Sequence, residues 1–268
     1  MKRRVVTFVV LLATIMLLGG LLPARGAVPG TKEPLQAVRV PILLYHRFGP
    51  AVTDGMTVTT EVFASHLKYL KENGYTVIPL KQLVDYLQGK GPAPKPKSVV
   101  IAVDDGHKTV YSDMLPLVKL YRIPVTLFLY PSAISNASYI MTWEQIRELK
   151  KTGLFDLQGH TYWHPNFKRD KKKMSPAEYE KSVDMQLVKS KAKLEKELDI
   201  KVDMLAWPFG IYDEYLTAKA AQAGYRAAFS IERRHVTKSD HMMALPRYLL
   251  INSERGKAFE RLLAGEAF

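Results

Sequence analysis

SVVIAVDDGH, residues 98–107, sets five apolar residues (Val99 to Val103) without alternation ahead of two adjacent carboxylates and a glycine. An unbroken, largely β-branched run of this length reads as a strand buried on both faces, the habit of parallel sheets covered by helices. Asp104 and Asp105 then fall where the strand stops and the chain turns. Two like charges at the edge of a core are costly unless something cationic meets them. Asp-Gly alone is ordinary turn chemistry. The rest of the chain gives the pair more to do.

Outward from this strand, further apolar runs alternate with helical patterns. Val40–His46 (VPILLYH), Tyr75–Pro79, Pro124–Tyr130 (PVTLFLY), Leu154–Gln158, Val202–Trp207, Tyr225–Ile231 and Leu245–Ile251 read as strands. Between them, helical spacing covers Glu61–Asn73, with Thr60 as cap and Gly74 as stop, then Leu80–Gln88, Tyr111–Tyr121 and Trp143–Lys151 capped by Thr142. Ser175-Pro176 opens the longest helix, to about Leu198, and further helices are expected at Asp213–Ala223 and from Ser253 onward. GKGPAPKPK (89–97) is a loop too short to separate domains. Eight strands mostly alternating with helices predict an α/β fold, a distorted (β/α) barrel of seven to eight parallel strands. A doubly wound open sheet is the alternative.

Residues 1–27 stand apart from the expected domain at 28–268. Lys2, Arg3 and Arg4 precede an apolar run from Val5 to Leu22, Pro23 ends it, and Ala24-Arg25-Gly26-Ala27 offers a cleavage site. This is a secretory signal peptide or an N-terminal membrane anchor, near the lower length limit for spanning a bilayer. The domain is therefore expected to be extracytoplasmic, secreted or anchored at a bacterial cell surface. The chain has no cysteine, which excludes disulfides, thiolate chemistry and lipobox lipidation. The formal charge is +13, of which four charges precede Ala27, so the exported part carries +9. Such a surface is drawn to polyanions. For an exported protein the partner is an anionic cell envelope rather than nucleic acid. The densest cluster, Lys168–Lys173, reads as a solvated loop. A monomer is expected.

In a barrel of this kind the site is built from loops at the carboxyl ends of the strands. Read in order, those ends carry His46, Asp104-Asp105, His160 and His164, and Trp207-Pro208-Phe209-Gly210. One helical turn would bring His160 and His164 onto one face, within reach of one cation, and Pro165 would end that turn. Two imidazoles plus a carboxylate with open positions form a catalytic metal set. Neighbouring aspartates diverge at a strand end, so one can ligate while the other takes a proton from water. Tyr45, Trp163 and Trp207 could stack on sugar rings, but core packing is the plainer reading of each. His66 reads as solvated on its helix, His235 and His241 as polar loop residues, and His107 as a flanking group.

VDDGH, HTYWH and AWPFG resemble the first three motifs of the polysaccharide deacetylase family, carbohydrate esterase family four, over roughly residues 38–252. The resemblance implies a distorted (β/α) barrel that removes acetyl groups from glycans with one divalent metal, Zn²⁺ foremost, with Co²⁺ or Ni²⁺ as alternatives. It makes Asp104 the catalytic base and Asp105, His160 and His164 the metal ligands. It places Trp207, Pro208, Phe209, Gly210 and Leu249 at the substrate groove, with the Phe209 N–H as oxyanion donor. The chain departs from the pattern in three places. Ala206-Trp207 stands where many members carry an arginine that partners the base, so a distant Arg or Lys would have to supply it. Val103 and His107 replace the aromatic residues that commonly flank the aspartates. Leu249-Leu250-Ile251-Asn252 lacks the histidine that protonates the leaving amine. ILLYHRF and LPRYLLIN look like the branch that deacetylates poly-β-1,6-N-acetylglucosamine, in which His46 would be that acid. The implied substrate is an N-acetylglucosamine polysaccharide of a cell surface or biofilm matrix. A peptidoglycan- or chitin-type N-deacetylase, an O-acetyl esterase on the same fold, and a glycan-binding surface protein with weakened catalysis are the alternatives.

Overall fold

The computed structural model describes residues 38–266, so the expected signal or anchor at 1–27 lies outside the described residues. Ten strands are present among them: β1 (Ile42–Tyr45), β2 (Arg47–Gly49), β3 (Thr57–Thr59), β4 (Thr76–Val77), β5 (Ser98–Val103), β6 (Val125–Leu129), β7 (Phe155–Gly159), β8 (Met204–Ala206), β9 (Ala227–Phe229) and β10 (Tyr248–Leu249). All but β2 and β3, which pair each other, form one parallel sheet in the order β10-β1-β5-β6-β7-β8-β9, and β4 pairs the start of β5. Each of the eight predicted strands is in this sheet.

The barrel does not close by a full ladder. Leu245 makes a single parallel bridge to Phe229 at the end of β9, and β10 then pairs β1 through Tyr248 and Leu249. The last strand thus leans across from β9 to β1, which is the distortion.

Strand alternation sorts the side chains into two sets. Ile42 and Leu44 of β1, Val100 and Ala102 of β5, Phe128 of β6, Met204 and Ala206 of β8, and Ala227 and Phe229 of β9 pack together inside the barrel. Their neighbours Leu43, Tyr45, Val99, Ile101, Val103, Leu127, Leu129, Leu157 and Leu205 pack against the helices outside. Carried one step past each strand end, the inner series reaches His46, Asp104, Tyr130 and His160. The period of two therefore gathers these four at one mouth of the barrel.

The helices are α1 (Thr60–Glu72), α2 (Leu80–Leu87), α3 (Leu115–Tyr121), α4 (Trp143–Lys151), α5 (Phe167–Lys173), α6 (Pro176–Asp184), α7 (Ser190–Leu198), α8 (Glu214–Gln222) and α9 (Lys257–Ala264). Thr142 and Ser175 each close a capping box at α4 and α6. Thr59, one residue earlier than expected, caps α1. Wide π turns lie at Val110–Met114, ahead of α3, and at Met185–Lys189, between α6 and α7. The Lys168–Lys173 cluster is helical, not a loop. Asn166 caps α5 by accepting from the Arg169 N–H, buried Phe167 anchors it, and its lysines crowd the last turn, where the helix dipole favours cations. Among the described residues no helix is long and apolar enough to cross a membrane.

Candidate active site

Asp104 follows β5 and is buried. Its N–H donates to the Tyr45 carbonyl at 3.0 Å. Arg247, fully buried just ahead of β10, donates to both carboxylate oxygens at 2.8 Å each, and its Nε donates to the Ser230 carbonyl at 2.9 Å. Burial alone would raise the Asp104 pKa; Arg247, with His160 and His46 nearby, outweighs it and holds the carboxyl below its ordinary range. The partner absent beside the third motif thus comes from elsewhere in the chain. Its local signal was slight, an arginine between apolar residues in LPRYLL.

Asp105 and Gly106 are both left-handed, with φ 73° and 78°, and this pair turns the chain sharply out of the strand. A Cβ on Gly106 would lie 2.6 Å from Leu129 Cδ2, so a larger residue would have to push that side chain aside as well as adopt the left-handed backbone. Asp105 Oδ1 lies 3.5 Å from His160 Nε2 and 3.7 Å from His164 Nε2. Burial works against its charge, but His160 prevails and the pKa is lowered.

His160 and His164 meet, though not through a helical turn. Residues 160–165 form an irregular loop in which Thr161 and His164 are left-handed, with φ 66° and 57°. The rings stand 4.7 Å apart edge to face. His160 Nδ1 lies 2.8 Å from the Ala206 carbonyl, an acceptor only, so Nδ1 carries a hydrogen and Nε2 is the nitrogen turned to Asp105. Burial disfavours a charged His160, yet Asp104 and Asp105 overcome it and raise its pKa. His164 goes the other way, to about 4, through burial and the His160 charge.

Two imidazole nitrogens and one carboxylate oxygen thus converge within 4.8 Å of one another. Ligands about 2.1 Å from a tetrahedral ion lie about 3.4 Å apart, which the Asp105–histidine separations match. Nitrogen lone pairs facing a carboxylate repel it, a repulsion that a metal ion between them would relieve, as does the proton that Asp104 and Asp105 favour on His160. The donor set fits a divalent metal ion, with coordination positions left for water or substrate.

His46, after β1, faces the same cavity. Its Nδ1 is buried without a hydrogen-bond partner among the described residues. Burial lowers its pKa, against the pull of Asp104 and Asp105. The cavity measures about 590 Å³, and Arg47, Met56, His107, Tyr130, Tyr139, Ile140, Ile231 and Leu249 complete its wall with Trp207 and Phe209. Sequence reasoning missed Arg47, Tyr130 and Tyr139 here. His107 stacks on Tyr139, with rings 6.3 Å apart, as a flanking group.

The predicted groove residues separate. Phe209 is 56% exposed, left-handed at φ 57°, and its ring sits 4.6 Å from that of His164. Leu249 lines the cavity. Trp207 touches the cavity but is fully buried, its Nε1 donating to the Met243 carbonyl at 2.8 Å and its ring packed on Phe167. Pro208 is buried beside it, and Gly210 packs against Ile231, where a Cβ would meet Cγ1 at 2.5 Å. Neither Pro208 nor Gly210 lines the cavity. Tyr45 and Trp207 are core residues, while Trp163 is 45% exposed. His66, expected to be solvated, is buried between the Tyr45 hydroxyl and the Glu254 carbonyl, and His235 is buried against the Leu262 carbonyl.

Comparison with known proteins agrees with this architecture. Residues 91–228 match the sequence profile of the polysaccharide deacetylase family. Poly-beta-1,6-N-acetyl-D-glucosamine N-deacetylases of Staphylococcus aureus (strain MRSA252) and Staphylococcus epidermidis are each 28% identical over 211 residues, 77% of this chain and 71% of theirs. Among solved structures, the deacetylase PplD of Streptococcus pyogenes, in complex with acetate, superposes with a TM-score of 0.75 at 21% identity, over 85% of this chain and 99% of the other. IcaB from Ammonifex degensii gives 0.74 at 23% identity, over 85% and 97%. Fold and site together describe a hydrolase of barrel type with its chemistry at the strand ends. The chain belongs to the polysaccharide deacetylase family and is an enzyme of that kind.

Proposed function

We propose that this chain is an exported, metal-dependent N-deacetylase of poly-β-1,6-N-acetylglucosamine at the cell surface or in the biofilm matrix. The observation that carries the reading is one cavity holding Asp105, His160 and His164 in ligand geometry beside an Asp104–Arg247 pair and His46. The names of the staphylococcal relatives support the glycan. The basic, then apolar, N-terminal segment supports export. The excess of positive charge suits an anionic envelope. The intact Asp104–Arg247 pair favours a working enzyme over a glycan binder with weakened catalysis.

In this reading Asp105, His160 and His164 hold the ion, Zn²⁺ foremost. Once bound, it would polarise the acetyl carbonyl and lower the pKa of water. Asp104 takes the proton from water as its oxygen attacks the carbonyl carbon. Arg247 fixes the orientation of that carboxylate and keeps it ionised. The Phe209 N–H donates to the oxygen on which negative charge develops. His46 gives a proton to the nitrogen as the C–N bond breaks, releasing acetate and a free amine. Phe209 and Leu249 border the sugar.

The test is acetate release by the purified chain from β-1,6- and β-1,4-linked N-acetylglucosamine oligomers and from O-acetylated glycan, with metal content measured in parallel. We expect about one Zn²⁺ per chain and faster release from the β-1,6 series. Faster release from β-1,4 oligomers, or release from O-acetyl esters alone, would move the enzyme to another substrate class. Full activity in metal-free protein would remove the metal.

A further inference from the structure

We infer that Gln186 is the positioning residue that holds the His160–His164 loop in its ligating shape, presented to it by the wide turn at Met185–Lys189. The inference rests on the proposed metal-holding role of that loop.

Two non-glycine residues of the loop, Thr161 and His164, are left-handed. Such backbone is sparsely populated and persists only where the surroundings over-determine it. Inside the loop, the His164 N–H donates to Thr161 Oγ1 at 3.2 Å. Most of the restraint comes from outside. Gln186 Oε1 accepts from the N–H groups of Tyr162 and Trp163, at 3.0 and 3.1 Å. Ser190 Oγ donates to the Thr161 carbonyl at 2.7 Å. Both anchors are fully buried. Two residues four apart thus engage the backbone of Thr161, Tyr162 and Trp163, the three residues between the histidines.

The helix is wider than an α-helix where it meets the loop. Met185–Lys189 is a π turn, an interruption that re-aims side chains and recurs at functional sites. It begins one residue before Gln186 and ends one before Ser190. Gln186 also keeps a cost that packing alone would not ask for. Its Nε2 is buried with no hydrogen-bond partner among the described residues. A leucine would fill similar space without the unmet donor, so the glutamine is explained by its carbonyl oxygen. His160 has its own tether, through Nδ1 to the Ala206 carbonyl. The ligand that depends on Gln186 is His164.

The test compares Gln186→Leu, which removes the acceptor, with Gln186→Glu, which in this fully buried place takes up a proton and keeps a carbonyl acceptor without a charge. Zn²⁺ affinity is read by competition with a chromophoric chelator, ligand geometry by the visible spectrum of the Co²⁺-loaded protein, and folding by thermal melting of the metal-free protein. Gln186→Leu should bind Zn²⁺ about 10–100-fold more weakly, the range for loss of an outer partner of a metal ligand, with an altered Co²⁺ spectrum. Gln186→Glu should stay near wild type on both. Wild-type affinity and spectrum in Gln186→Leu would overturn the inference, as would Gln186→Glu falling as far as Gln186→Leu. If Gln186→Leu fails to fold, Gln186→Met takes its place, and undiminished affinity there overturns the inference too. A wild-type chain that binds no Zn²⁺ would instead sink the metal reading of the loop, and this inference with it.

Discussion

Arg247 carries its charge into the barrel, where Asp104 and the Ser230 carbonyl receive it and the rings of Phe128 and Phe229 lie 5.4 and 5.9 Å from the guanidinium carbon. Removing one partner of a buried pair strands the other's charge, which costs far more than the pair contributes. Arg247→Met should therefore destabilise the fold by about 3–5 kcal/mol in urea unfolding, and the double variant with Asp104→Asn should recover part of that loss. A double variant as unstable as the single one would mean that packing, not charge, is at stake. Asp104→Asn alone should keep its metal and lose about 10²-fold or more in turnover, the scale of general-base loss. Metal loss matching that of Asp105→Asn would reverse the two roles. In the proposed mechanism His46 answers a different need, because an amine leaves poorly unless protonated as its bond breaks. His46→Ala should retain fold and metal, cut acetamide turnover strongly, and spare aryl acetates, whose leaving groups need no proton. Equal losses on both substrates would make His46 a structural residue.

At the level of elements, the turn after β5 ties backbone shape to the direction of Asp105, the proposed ligand. Gly106 and Gly153 are both left-handed, at φ 78° and 70°, but a Cβ would collide with Leu129 at the first and meet nothing within 4 Å at the second. Gly153→Ala should cost about 1 kcal/mol of conformational strain. Gly106→Ala should cost more, by denaturant midpoint, and should lower metal stoichiometry because Asp105 is aimed by the same turn. Equal costs with metal retained would mean that Leu129 yields easily. Much of this architecture was legible in the residues. Apolar runs such as Val99–Val103 marked the strands, Thr142 and Ser175 marked helix starts, and the strand ends collected the charged groups. The HTYWH loop was not, because side chains that meet its backbone, Gln186 and Ser190, stand more than twenty residues away. The Asp104–Arg247 pair spans 143 residues and leaves no local pattern. In Lys168–Lys173 the charge run masked a short helix held by its cap and by Phe167.

Over the whole molecule, the first and last parts of the described chain are joined at His66. Its Nε2 donates to the Glu254 carbonyl at 2.6 Å, which leaves Nδ1 to accept from the Tyr45 hydroxyl at 3.0 Å, and its ring stacks on Phe259 at 3.9 Å. One neutral imidazole thus ties α1 to β1, to the segment ahead of α9, and to α9 itself. Burial lowers its pKa from 6.5 to about 4, the Glu254 carbonyl opposing only in part. Between those values the unfolded chain binds a proton that the folded chain refuses, so stability rises with pH through this window and falls on acidification. Above pH 6.5 neither state is charged and the slope from this group vanishes. The full shift is worth about 3 kcal/mol. His66→Gln offers a donor and an acceptor at the same place without titrating. It should be less stable than wild type at pH 7 and show a shallower decline between pH 6.5 and 4, so that the two curves converge. Metal release and the repulsion among excess positive charges act on both proteins alike and cancel in the comparison. Urea unfolding across that range reads the difference directly. Curves that fall in parallel would place the acid sensitivity elsewhere and leave His66 with packing and two hydrogen bonds as its whole contribution.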